Sequence, residues 1–141
     1  MVLPVLMKTI VVPGRFTSLA DIGEFVAQAA ELSGLDDNAV YAVQLAVDEA
    51  CTNIIEHAYG GEGLGDIECT CKTLKDGIEI TLRDNGDSFD PKSVPDPDFN
   101  VPLEEVELCG AGLLLIRKLM DDIQYKASPK DGNVLILVKK K

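Results

Sequence analysis

Residues 66–87 run Asp66-Ile67-Glu68-Cys69-Thr70-Cys71-Lys72-Thr73-Leu74-Lys75-Asp76-Gly77-Ile78-Glu79-Ile80-Thr81-Leu82-Arg83-Asp84-Asn85-Gly86-Asp87. Apolar and polar residues alternate from Ile67 to Thr73 and again from Ile78 to Arg83, the two-residue period of a half-buried strand. The Asp76-Gly77 pair between them predicts a turn, and so an antiparallel hairpin. A hairpin with one apolar face has to bury that face against something else in the chain.

The upstream sequence supplies the cover. Lys8 to Val12 reads as a strand stopped by Pro13-Gly14. Ser18 is placed to N-cap a first helix, because its hydroxyl can accept from free backbone N–H groups. Leu19, Ile22, Phe25, Val26, Ala29 and Ala30 follow at helical spacing, and Gly34 is the expected stop. Asp36, Asp37 or Asn38 caps a second helix that runs without Gly or Pro to about Tyr59. Gly60, Gly61, Gly63 and Gly65 then form a loop into the hairpin.

Downstream, no periodicity holds from Asp87 to about Leu108. That stretch holds Pro91, Pro95, Pro97 and Pro102, with seven Asp or Glu against one Lys. A segment of this length without secondary structure is often a functional lid. Its composition predicts mobility without a ligand. Gly110-Ala111-Gly112 opens a further helix, Leu113 to about Met120. Two closing strands, Ile123 to Ala127 and Val134 to Val138, flank a Pro129–Gly132 turn. The order β-α-α-β-β-lid-α-β-β predicts an α+β fold. It would be a two-layer sandwich, with a mixed or antiparallel sheet and helices on one face.

At 141 residues the chain has the length of a single domain, here 1–141, and 46% hydrophobic with 26% charged residues is globular composition. The formal net charge of -11 argues against wrapping nucleic acid or coating an anionic membrane. No apolar run approaches the roughly 20 residues of a membrane span. The apolar Met1 to Val12 stretch lacks the basic cluster and cleavage site of a signal peptide. Cys51, Cys69, Cys71 and Cys109 form no C-x-x-C pair, and a single His is too few for most zinc patterns. Free thiols in the cytoplasm are the expectation.

Three groups of residues are candidates for chemistry. Glu49, Asn53 and His57 are spaced i, i+4, i+8 on the second helix, following Ala42 and Ala46 on the same side. A side that begins apolar turns to carboxylate and amide midway. A solvated polar stripe gives the same pattern. Asp84-Asn85-Gly86 ends an apolar strand and reads either as an ordinary turn or as a carboxylate aimed into a cleft. Gly110-x-Gly112 before an apolar helix can present backbone N–H groups to an anion. The chain has no G-x-x-x-x-G-K-[ST] and no G-x-G-x-x-G after its first strand, which excludes a P-loop and argues against a Rossmann site.

In this order, the three groups resemble the nucleotide site of the GHKL ATPases, the Bergerat fold, and most of all the bacterial anti-sigma-factor serine kinases. The likeness rests on residues 48–59, 83–91 and 110–121 and extends over nearly the whole chain. It implies a Mg²⁺-ATP-dependent protein serine kinase that acts as an anti-sigma factor. Such a kinase phosphorylates a Ser of a STAS-type anti-anti-sigma partner and also holds a sigma factor. The alternative is a partner-binding module that uses nucleotide only to order its lid, or uses none.

The resemblance also implies roles. Asn53 would ligate Mg²⁺. Glu49 would be the general base or orient the attacking hydroxyl. Asp84 would accept from the adenine amino group, and Gly86 would let the ring approach. Gly110, Ala111 and Gly112 would shape the end of the ATP lid, residues 87–109, around the phosphates. His57 is expected to pack at the helix end, and Arg117 and Lys118 to lie on a solvated face. A homodimer is implied, with the apolar N-terminal strand as an edge for pairing. Three departures from the family pattern stand out: no Arg over Asp21–Glu24 of the first helix, no Thr within Val134–Leu137, and Ala111 where Leu is commoner.

Overall fold

The computed structural model describes residues 6–87, 115–128, 130 and 132–141. Strand β1 (Met7–Pro13) leads through a 3₁₀ turn, Phe16–Ser18, into helix α1 (Leu19–Leu32). Helix α2 (Asp37–Asn53) continues into one π-helical turn, Ile54–Ala58. Strands β2 (Asp66–Leu74) and β3 (Gly77–Asp84) form the hairpin. Strands β4 (Asp122–Ser128) and β5 (Gly132–Lys140) close the fold. Residues 115–119 are helical. The sheet has the order β1-β2-β3-β5-β4, and every neighbouring pair is antiparallel. The expected α+β architecture is present, and the mixed-or-antiparallel alternative resolves to antiparallel.

Strand alternation decides which sheet face is covered. Ile67, Cys69 and Cys71 of β2, Ile78, Ile80 and Leu82 of β3, and Leu137 of β5 are almost fully buried. They pack beneath Ile22, Val26 and Ala30 of α1 and Val43, Ala46, Val47, Ala50 and Cys51 of α2 in one core. Burying each large aliphatic side chain of this kind stabilises by about 1.5–3 kcal/mol before chain entropy is counted. The opposite sheet face carries Thr9, Thr70 and Thr81 in register across three strands. The free thiols Cys51, Cys69 and Cys71 are core side chains, and burial pushes the Cys51 thiol well above its ordinary range.

Local chemistry explains the element ends, with two corrections to the sequence reading. Asp36 caps α2, its carboxylate accepting from Ala39 N at 2.8 Å. Gly34 takes φ +84° just past α1, a conformation that costs a side-chain-bearing residue more. Ser18, however, makes no side-chain cap; it is buried at the end of the 3₁₀ turn, where Leu19 N donates to Phe16 O instead. The hairpin turn also moves back by one residue. Leu74 pairs with Gly77, so Lys75 and Asp76 form the loop. Gly77 is required for space, since a Cβ there would lie 2.0 Å from Lys139 O.

Candidate nucleotide site

The site forms where the C-terminal end of α2 meets the end of β3. Asn53 and Asp84 line one pocket, together with Asp87, Ile116, Tyr125 and Asn133. Asn53 at the end of α2, Asp84 and Asp87 at the end of β3 and Ile116 of the helical stretch 115–119 thus come together from distant parts of the chain, whereas Glu49, one turn before Asn53, is not among the lining residues. Gly110, Ala111, Gly112 and lid residues 88–109 lie outside the described residues.

Glu49 and Asn53 stand one helical turn apart on α2, and both are half-buried. Burial, reinforced by the neighbouring carboxylates Asp48 and Glu56, pushes the Glu49 pKa above the ordinary carboxylate range. Asn53 Nδ2 is buried without a hydrogen-bond partner. An amide group buried unpaired costs about 1–3 kcal/mol, so the site is incomplete without a polar ligand. The unpaired nitrogen calls for an acceptor such as a phosphate oxygen or a metal-bound water, and the oxygen of the same amide is of the kind that ligates Mg²⁺. Among the described residues, no group of three His, Cys, Asp or Glu side chains is arranged to hold a metal.

The π turn separates His57 from the other two. Tyr59 N donates to Ile54 O, five residues back, rather than closing an α-helical bond. The turn widens after Asn53, and His57 emerges exposed beside Glu56, 3.9 Å from its carboxylate. The i, i+4, i+8 stripe of the sequence is therefore a pair. The same turn leaves Ala58 O free to accept from Asp87 N at 2.7 Å. Helix end and strand end are joined there. A Cβ on Gly86 would fall 2.4 Å from Ala58 O. That close approach to the helix end requires a glycine at 86.

Asp84 is 7% exposed. Its Oδ1 accepts from Gly86 N at 2.9 Å and from Asn133 Nδ2 at 2.8 Å. Burial raises the Asp84 pKa, and the bonds from Asn133 and Gly86 partly offset that rise. Asn133 Nδ2 also lies 3.0 Å from both Gly86 O and Asp87 O, and Asn133 Oδ1 accepts from Tyr125 Oη at 3.1 Å. Asn133 thus pins the carboxylate and the backbone after it. Sequence reasoning looked for a hydroxyl within Val134–Leu137 and missed the amide one position earlier. The signal was the register: Asn133 is the direct partner of Asp84.

The model of the histidine kinase-like ATPase domain family matches residues 12–139. A serine-protein kinase RsbW of Bacillus cereus is 38% identical over 117 residues, which cover 80% of this chain and 72% of the relative. RsbW of Bacillus mycoides is likewise 38% identical with the same coverage. A solved structure of the RsbU and RsbW domains of a Mycobacterium tuberculosis protein superposes over 96% of this chain with a TM-score of 0.67. At 14% identity, and with this chain spanning 32% of that one, the superposition speaks for the fold alone.

Proposed function

This chain belongs to the histidine kinase-like ATPase domain family, and from that membership we propose that it is a Mg²⁺-ATP-dependent serine kinase and anti-sigma factor. Its phosphoacceptor would be a Ser of a STAS-type anti-anti-sigma partner, in a partner-switching system that also involves a sigma factor. The names of the RsbW relatives support the kinase class. The observation that carries the nucleotide reading is the convergence of Asn53 and Asp84 on one pocket, with Asn53 Nδ2 buried and unpaired.

In this reading Asp84 holds the base. Its Oδ1 is taken by protein donors, and its Oδ2 accepts from the exocyclic amine of adenine, which a guanine ring lacks at that position. Asn53 holds Mg²⁺ through its side-chain oxygen, and the ion, when bound, supplies charge neutralisation for the phosphates. Gly110, Ala111 and Gly112 lend backbone N–H groups at the phosphate end. The partner's Ser Oγ attacks the γ-phosphorus as the bond to the β–γ bridging oxygen breaks, and ADP leaves. The hydroxyl proton passes to Glu49, whose raised pKa makes it the stronger base. Positioning carries most of the rate in such a transfer.

The partner surface and the assembly follow from the same reading. Helices α1 and α2 contain no Lys or Arg, so a partner meeting them meets carboxylates. Strand β1 lies at a sheet edge with Met7 and Val11 exposed, which suits pairing into a homodimer. Among the described residues no helix is long and apolar enough to cross a membrane. The buried free thiols suit a reducing compartment, and we place the protein in the cytoplasm.

Radiolabelled ATP with purified STAS proteins tests the transfer. The expected result is Mg²⁺-dependent labelling of one serine, lost in Glu49→Ala while ATP still binds. The first test is thermal melting with millimolar Mg²⁺-ATP. A ligand that binds the native state raises its melting temperature, and an unmoved transition would end the nucleotide reading.

A further inference from the structure

We infer that Tyr59 is a positioning residue of the nucleotide site, holding the Asp84–Gly86 loop in its base-reading shape through its phenol oxygen. The inference rests on the nucleotide reading and assigns a role to the last residue of the helical motif. Tyr59 follows the π turn directly. Its backbone N–H closes that turn on Ile54 O at 2.9 Å. Its hydroxyl donates to Asp66 O at 2.6 Å, where β2 begins, and accepts from Asn85 N at 3.0 Å, where β3 has just ended. One oxygen therefore joins three segments: the helix end, the entry to the hairpin and the loop between Asp84 and Gly86.

The surroundings are shaped to this side chain. A Cβ at Gly65 would fall 2.4 Å from the Tyr59 ring and 2.8 Å from its hydroxyl, and one at Gly14 would lie 3.4 Å from the ring. The ring thus occupies the space that a side chain at Gly65 would take, whereas at Gly14 the ring is in ordinary contact and it is Gly65 O, 2.6 Å from the Cβ position, that closes the space. The loop it holds is fixed by side chain and backbone together. Gly86 N bonds Asp84 Oδ1, Asp87 N bonds Ala58 O, and Asn85 N bonds Tyr59 Oη. Removing the last of these frees the peptide that sets the direction of the Asp84 carboxylate relative to Gly86. The hydroxyl is a neutral donor at ordinary pH like any tyrosine, and burial raises its pKa further.

Tyr59→Phe keeps the ring and removes the oxygen. Calorimetry with Mg²⁺-ATP and Mg²⁺-GTP, transfer kinetics, and amide exchange at Asn85 are measured on the full chain. Loss of both hydrogen bonds of that oxygen, with Asn85 N left without this acceptor, predicts an ATP Kd and KM raised roughly 5- to 20-fold. The kcat should stay within about twofold, the preference for ATP over GTP should fall, and Asn85 should exchange faster. Gly65→Ala, which leaves Tyr59 in place but displaces its ring, should shift the same quantities in the same direction. Wild-type protein that fails to bind Mg²⁺-ATP ends the nucleotide reading and this inference with it. If the wild type binds, either of two results overturns the inference alone: unchanged Kd and base preference in Tyr59→Phe, or a fall in kcat with KM unmoved.

Discussion

Asp84 and Asn133 face each other as a direct pair at the end of the β3–β5 ladder, with Asn133 Nδ2 2.8 Å from Asp84 Oδ1. The amide orientation is fixed from behind, because Tyr125 Oη donates to Asn133 Oδ1. Both nitrogen protons therefore point at the carboxylate and at the carbonyls of Gly86 and Asp87. The residue that organises the base-reading end comes from the last strand, 49 positions away in sequence.

Asn133→Ala should be costly for that reason. It strips a buried carboxylate of one donor and removes the hydrogen bond between Tyr125 Oη and Asn133 Oδ1. Each such loss is worth about 1–3 kcal/mol. The expected melting temperature is lower by roughly 5–10 °C for a chain of this size, with ATP affinity down at least tenfold. Asn133→Asp should be worse for nucleotide binding, since it places a second carboxylate against Asp84. Equal ATP affinity in all three proteins, measured by calorimetry, would remove Asn133 from the site.

Asp84→Asn should separate stability from binding. Burial lifts the Asp84 pKa above its unfolded value, so the native state holds the proton more tightly. Where the native state binds more protons, stability falls as pH rises from the ordinary carboxylate value through the raised one. The charged form present at neutral pH is thus the costly one. Asparagine keeps an acceptor for Gly86 N and Asn133 Nδ2 and removes the charge. The variant is expected to melt at or above the wild-type temperature at pH 7, with a flatter pH dependence. Its remaining group is a donor where the base needs an acceptor, so ATP binding should fall 10- to 100-fold. Urea melts across pH 4 to 8 and calorimetry decide both halves.

The hairpin and both helices were legible because their apolar spacing matches what they bury. Ile67, Cys69 and Cys71, or Ile22 and Val26, are core residues. Features set by tertiary packing were not legible. The run Ile54-Ile55-Glu56-His57-Ala58 contains nothing that distinguishes a π turn from an α turn, so His57 was read one helical step from where it lies. Gly77 looked like turn chemistry, yet it is a glycine because the Lys139 backbone passes over it. Asn133, flanked by Gly132 in the sequence, has the composition of a turn. Only the strand register turns it into a partner for Asp84.

Asn53→Ala should leave the fold intact and remove metal dependence. Its Nδ2 is already unpaired in the protein, so truncation forfeits no hydrogen bond of that atom and relieves a desolvation cost. The ligand-free melting temperature should stay within about 2 °C of wild type. The stabilisation by Mg²⁺-ATP should vanish, as it should for wild-type protein with ATP in excess EDTA. A variant that retains the full Mg²⁺-ATP shift would place the ion elsewhere.

Glu49 gives the sharpest kinetic test, because its surroundings set the pH at which it can act. Burial and the charges of Asp48 and Glu56 favour its protonated form. A base must be ionised, so the rate should fall as pH drops through this raised pKa. The acid limb of kcat is therefore expected above the ordinary carboxylate range, near 4.3 for a free glutamate. Glu49→Gln keeps the shape and loses the base. It should lower kcat by about 10²- to 10⁴-fold, with the KM for ATP within a few-fold and the acid limb gone. Asp48→Asn removes one of the charges that hold the pKa up and should move the limb to lower pH with kcat on the plateau unchanged. An acid limb that stays in place in Glu49→Gln would assign the proton acceptor to another group.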